Sequence, residues 1–255
     1  MGVRFTIMSF NLRYWNQHDG ENSWPQRRDS VAAIMRAQTP WVIGTQEGLL
    51  AMLTDLDERL PEYDWVGMPR CDGDEGEHCA VFFRKSILEL VSTRQIWLSE
   101  TPSVPGSKSW DASLPRICTW AVLRHRDTGE EFAFFNTHLD HAGKVARKEG
   151  AALILREMQP YLESDMPCLL TGDFNCLPHH EPIKIFQGRL VNALEHVGKG
   201  MMGTFHGFTG KPGAGPIDDI FCSPNVKVIA GHVLDYQVDG RYPSDHFPIT
   251  AEIEA

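Results

Sequence analysis

"PCLLTGDFNCLPHHEP", residues 167–182, carries the reading of the fold. Cys168, Leu169 and Leu170 form an apolar run that passes through Thr171 and Gly172 into Asp173, Phe174 and Asn175. A short apolar run closed by polar residues reads as a buried strand. In extended chain, residues i and i+2 point the same way. Asp173 and Asn175 are therefore expected to project together from the strand's end into one cavity. His179 and His180, with Glu181 and Pro182, read as the start of a helix beside it.

Working outward, the same design recurs. Strand-like alternation marks residues 3–12, 41–46, 80–84, 88–98, 117–125 and 131–138. It returns at 217–222, 226–234 and 247–253. Asp127, Thr128 and Gly129 supply the turn of a hairpin between two of these. Helices fit 24–38, where Ser23 can cap and Pro25 suits the first turn, and also 49–60 and 142–162. About ten strands and four helices exceed one simple layer. The fold class is α+β, with two sheets and helices outside them. No linker, repeat or low-complexity segment interrupts the pattern, so residues 1–255 read as a single domain.

Polar residues stand at the ends of the apolar segments. "SFNLRY" leaves Asn11 at a strand exit, and "IGTQEG" leaves Glu47. "FFNTHLDH" leaves His138 and Asp140, and the quoted stretch leaves Asp173 and Asn175. "PIDDIF" opens a strand with Asp218 and Asp219, and "YPSDHFPI" sets Asp245 and His246 just before the last one. Taken singly, an Asn or Asp in such a place is usually a turn residue. Six rigid mounts in one chain, each bearing a residue capable of metal or proton chemistry, are harder to dismiss.

Composition bounds the partners. The formal net charge is −10, from 34 acidic and 24 basic residues. Extended nucleic-acid binding gains its affinity by neutralising phosphates with Lys and Arg, so this balance argues against it. A local positive groove from Arg13, Arg84, Arg116 and Lys144 stays open. No apolar run approaches the length of a membrane span. The six cysteines lack any CxxC spacing. Reduced thiols, a cytoplasmic location and no zinc site are expected. "CDGDEGEHC", 71–79, lacks the distant Glu of an EF-hand and reads as a mobile rim loop.

"GDFN", "SDHFP" and "IDDIF" together resemble the endonuclease/exonuclease/phosphatase superfamily, over essentially the whole chain. "GTFHGF" and "WLSETPSVPGSKSWDASLPRICTWA" are similar to a bacterial branch whose substrates are mostly unassigned. The strand with Asp218 departs from the family pattern, having Pro216 where a basic residue is usual. The 5-phosphatase signatures are absent. The resemblance implies a four-layer αββα sandwich of two mixed sheets flanked by helices.

It also implies a chemistry, the hydrolysis of phosphate esters with Mg²⁺, for which Mn²⁺ can substitute. A hard cation takes oxygen ligands, and one or two carboxylates suffice. By resemblance Glu47 is the principal metal ligand, with Asn11 and Asp245 close by. Asp173 orients and deprotonates the attacking water, and Asn175 holds the phosphate or Asp173. His246, paired with Asp218, stabilises the phosphorane, and His138 donates to a phosphate oxygen. Arg116 and Asp140 stand at polar substrate contacts. The expected partner is a small or short phosphate ester. A nuclease or deadenylase-like enzyme is the alternative. An inactive binding module on the same fold should have lost one of Glu47, Asp173, Asp245 or His246, and all four are present. Composition leaves the oligomeric state open.

Overall fold

A computed structural model describes residues 2–71, 73, 76–196 and 202–255. Six strands form the first sheet. In spatial order they are β11 (Lys227–Val233), β12 (Ile249–Glu254), β1 (Arg4–Asn11), β2 (Val42–Gln46), β4 (Val81–Arg84) and β3 (Tyr63–Val66). The second sheet runs β5 (Leu88–Trp97), β6 (Ile117–His125), β7 (Glu131–His138), β8 (Cys168–Asp173), β10 (Asp218–Cys222) and β9 (Val191–Asn192). Both sheets are mixed. β1–β2 and β7–β8 are parallel, and their other pairings are antiparallel. A parallel pair needs a crossover, and α1 (Trp24–Gln38) and α3 (Lys144–Glu163) supply the two.

Period-two patterning builds the layers. In β1, Phe5 and Ile7 enter the core between the sheets, while Met8 and Phe10 face α1 and α2 (Leu50–Arg59). In β7, Phe132 and Phe134 face inward, while Ala133 and Phe135 meet the layer of α3 and α4 (Glu181–Gln187). Strands apolar on both faces can only be central, and the result is helix, sheet, sheet, helix. The αββα sandwich implied by the resemblance is the observed fold. β3, β9 and the one-turn α5 (Ala193–His196) go beyond the sequence reading. β3 and β9 are short and pair with one neighbour each, so their pattern is weak. Ser23 is the N-cap of α1, but its hydroxyl makes no capping bond.

The two sheets approach closely at Gly44. An added Cβ on Gly44 of β2 would lie 2.1 Å from Thr171 Oγ1 and 2.6 Å from Asn136 Oδ1. The buried Asn136 Nδ2 donates to the carbonyls of Thr45 and Ala80 at 2.8 and 3.0 Å. Its Oδ1 accepts from Gln46 Nε2 at 2.7 Å and Thr171 Oγ1 at 3.1 Å. A side chain of the second sheet thus completes hydrogen bonds of the first.

Candidate active site

Register sets the centre of the site. His138 of β7 and Asp218 of β10 both lie opposite Asp173 of β8, so three adjacent strands present three polar residues in one row. Asp173 is 2 % exposed. Its Oδ1 accepts the Asn175 N–H at 2.9 Å, and its Oδ2 accepts Asn11 Nδ2 at 2.9 Å. Burial and the Asp218 charge push this carboxyl up to about 7 against the opposing charge of His246. Asn175 does face the same cleft, but not through the pleat. β8 ends at Asp173, and the chain turns, with Asn175 in the left-handed region at φ 50°. Asn175 Nδ2 donates to the Leu139 carbonyl at 3.1 Å and to His138 Nε2 at 2.9 Å. His138 Nε2 therefore accepts from Asn175 here. Burial, then Arg116 and Arg70, hold this imidazole neutral, well below its ordinary value.

The first sheet brings the other wall. Asn11 ends β1, and Glu47 follows β2 with φ 62°. Glu47 Oε1 accepts from Asn11 Nδ2 at 3.1 Å, and Oε2 accepts the Tyr14 N–H at 2.9 Å. Asn11 Oδ1 accepts the N–H of Arg13, itself at φ 54°. Asn11 thus sits one layer behind the wall and braces both Glu47 and Asp173. Burial raises the Asp245 carboxyl, and Glu47 adds to that rise. Arg13 Nε lies 3.8 Å from Asp245 Oδ2. The buried Arg27 of α1 donates to the carbonyls of Leu12, Arg13 and Pro243, which ties the segments carrying these residues together.

His246 faces Asp173 across the centre, with Nε2 3.8 Å from Asp173 Oδ2 and Nδ1 2.8 Å from Asp218 Oδ2. Burial opposes its charge, but Asp218, Asp173 and Asp245 outweigh it and raise the imidazole to about 10. The surrounding carboxylates favour its charged form. The "GTFHGF" segment supports this pair. Thr204 Oγ1 accepts the Asp218 N–H at 3.1 Å, and Phe205 bridges to the backbone of His246. The Phe205 ring is 45 % exposed and 5.1 Å from the imidazole. Asp219, next in sequence, leaves on the other face of β10. It accepts from Asn192 Nδ2 at 2.9 Å and takes no part in the cleft.

The resulting cleft holds about 520 Å³ and is lined by Glu47, His138, Asp173, Asn175, Asp245 and His246, with Arg13, Arg70 and Arg116 among its cations. Arg116 reaches His141 Nδ1 at 3.1 Å and lies 3.5 Å from Asp140 Oδ2. Asp140 is not on the wall. Its carboxylate accepts from Ser113, Leu114, Ala142 and Gly143, and these bonds overcome burial to hold it well below the usual range. Of the cations that could converge, Arg13 and Arg116 reach the cleft, Lys144 lines a neighbouring cavity, and Arg84 lines neither. Sequence reasoning passed over Arg70 and Glu77, an ion pair at 2.7 Å in the wall. Glu77 lies in the stretch read as a rim loop, of which Asp72, Asp74 and Glu75 lie outside the described residues.

The donor set fits a hard divalent cation. Glu47, His138 and Asp173 offer ligand atoms within 4.8 Å of one another, as do Asp173, Asp218 and His246. In the second trio His246 Nδ1 already engages Asp218 Oδ2, while Asp218 Oδ1 is buried without a hydrogen-bond partner. At the first, carboxylates crowd, and Glu47 raises both Asp173 and Asp245. A cation bound by oxygen relieves that repulsion.

A two-sheet sandwich with such a cleft at the strand ends is the architecture of a phosphate-ester hydrolase. The chain belongs to the Endonuclease/Exonuclease/phosphatase family, whose model matches residues 8–246. It is similar to a crystal structure of a protein of that family from Bacteroides thetaiotaomicron, with 39 % identity and a TM-score of 0.92 over 100 % of this chain and 98 % of that one. It is also similar to a Bacteroides thetaiotaomicron mannosyl-6-phosphatase, with 40 % identity and a TM-score of 0.90 over 98 % and 99 % of the two chains. An uncharacterised protein of Acanthamoeba polyphaga mimivirus is 30 % identical over 168 residues, 60 % of this chain. The match spans 59 % of that curated relative's length.

Proposed function

We propose that residues 1–255 form one catalytic unit that hydrolyses small phosphate esters with Mg²⁺, or Mn²⁺ in its place. The observation that carries this reading is the row of His138, Asp173 and Asp218 with His246 facing Asp173 across a carboxylate-rich cleft. Glu47 and Asp245 would hold the metal, with Asn11 keeping Glu47 in place. When bound, the metal neutralises phosphate charge and lowers the barrier to attack. Asp173, fixed at both oxygens by Asn175 and Asn11, orients the attacking water and takes its proton. His246, kept charged by Asp218, donates toward the phosphoryl oxygens as negative charge builds there. Arg116 holds the phosphate, and Asn175 holds Asp173 through its backbone N–H. His138, as the neutral partner of Asn175, positions its side-chain amide. Asp140 acts through Arg116 rather than on substrate.

Cleft size supports a small substrate, since about 300–1,000 Å³ is the range of small-molecule sites. The mannosyl-6-phosphatase likeness makes sugar phosphates the first class to test. Exposed Phe205 favours one second reading, a nucleotide base stacked beside His246. Reduced, mostly buried cysteines support a cytoplasmic place. Among the described residues no helix is long and apolar enough to cross a membrane.

The test is a screen of phosphomonoesters and phosphodiesters with Mg²⁺ and Mn²⁺, run beside Asp173→Asn. Turnover of a small ester should fall about 10²–10⁴-fold in the variant with KM little changed. Turnover within a few fold of the parent would assign water activation to another residue.

A further inference from the structure

Residues 139–143 join His138 of the cleft to Lys144, the first residue of α3. His138 and His141 line the cleft, whereas Lys144 and Arg147 line a second cavity of about 210 Å³, with Lys148, His180 and Glu181. Asp140 lines neither hollow but touches a lining residue of each. Asp140 turns its carboxylate toward Arg116 of the cleft at 3.5 Å, and its carbonyl accepts from Arg147 at 2.8 Å. Topology explains this nearness. α3 follows β7, which carries His138, and α4 follows β8, which carries Asp173, so both helices start at the catalytic edge.

The second cavity is cationic in an acidic chain. Lys144, Arg147 and Lys148 face it, and Glu181 is held by Lys148 at 2.8 Å. The charge comes from side chains, because Asp111 already caps α3 by accepting the N–H groups of Val145 and Ala146. Burial, then His179, Arg147 and Lys144, lower the His180 imidazole.

We propose that this cavity is a second anion subsite, which takes a distal phosphate of a small substrate whose ester phosphate occupies the cleft. The inference rests on the reading of the cleft as a phosphate-ester site. It makes bis-anionic molecules the preferred substrates, with Lys144 and Lys148 as specificity residues.

Glucose 6-phosphate and glucose 1,6-bisphosphate form a matched pair of probes. Kinetics are compared in the parent chain and in Lys144→Gln/Lys148→Gln, whose two sites are exposed on a helix surface. The parent should show a KM for the bisphosphate about tenfold lower, the size of one or two charge-assisted contacts. The double variant should lose that advantage with kcat unchanged and KM for the monophosphate steady. Equal KM values in the parent, or equal losses on both substrates, overturn the subsite. If neither ester is hydrolysed, the catalytic reading fails by itself, and calorimetry with the same two ligands still decides. Bisphosphate binding must then weaken in the variant while monophosphate binding holds, and any other pattern rejects the proposal. A 5′-phosphorylated dinucleotide that suffers more than the bisphosphate would hand the cavity to nucleic acid and also overturn it.

Discussion

Glu47 concentrates the metal question in one side chain. Glu47→Gln keeps its shape and its bond from the Tyr14 N–H but removes the charge a hard cation needs. Most activity should disappear and partly return at high Mg²⁺. An activity curve against metal that matches the parent would remove Glu47 from the ligand set. Asp219 raises a separate issue. Burial, against a bond from Asn192, pushes its carboxyl up to about 8 from 3.8. Between those values the folded chain holds a proton that the unfolded chain has released. Stability contributed by the protonated form therefore falls as pH rises through this window, by up to about 1.4 kcal/mol per unit, and is level above it. Asp219→Asn should flatten this slope and be the more stable protein at pH 8. Urea midpoints at pH 5 and 8 measure it, and parallel slopes for the two proteins would refute it. Asp173, Asp218 and His246 were legible because each stands where a pattern ends. Arg70 and Glu77 were not. Their pairing depends on how a loop closes, which no periodicity encodes.

Elements were legible in proportion to their length, since the exposed edge strands β5 and β11 were readable and only the short β3 and β9 were not. Strands apolar on both faces announce themselves, whereas β3, of four residues, and β9, of two, are too short to show a period. Invisible too was the seam at Gly44, because a glycine's meaning depends on what stands opposite. Gly44→Ala drives a methyl group into Thr171 and Asn136 and should break the hydrogen bonds that Asn136 makes to the first sheet. Overpacking of this kind costs roughly 1–3 kcal/mol. Melting should drop by roughly 2–4 °C per kcal/mol. An unchanged melting temperature would mean the sheets separate there freely. The damage should extend to turnover, since Gln46, a member of the network, directly precedes Glu47.

At the scale of the molecule, the site exists only where the two sheets meet, with Glu47 and Asp245 from one and His138, Asp173 and Asp218 from the other. Charge is the other global property. With 34 acidic against 24 basic residues, duplex DNA should bind weakly. The log–log salt slope should imply no more than about three phosphates, at about −0.9 per contact. A tight complex near 0.15 M salt that collapses as salt rises would restore the nuclease reading. Arg13, Glu47 and Asn175 all hold left-handed backbones at the cleft. For a residue with a Cβ that conformation costs roughly 1–2 kcal/mol. Glycine at those three positions would relax the chain while discarding the functional groups. A breeding programme that rewarded only survival of heating would therefore drift toward glycine there. Its winners would be hardy proteins with nothing left to do.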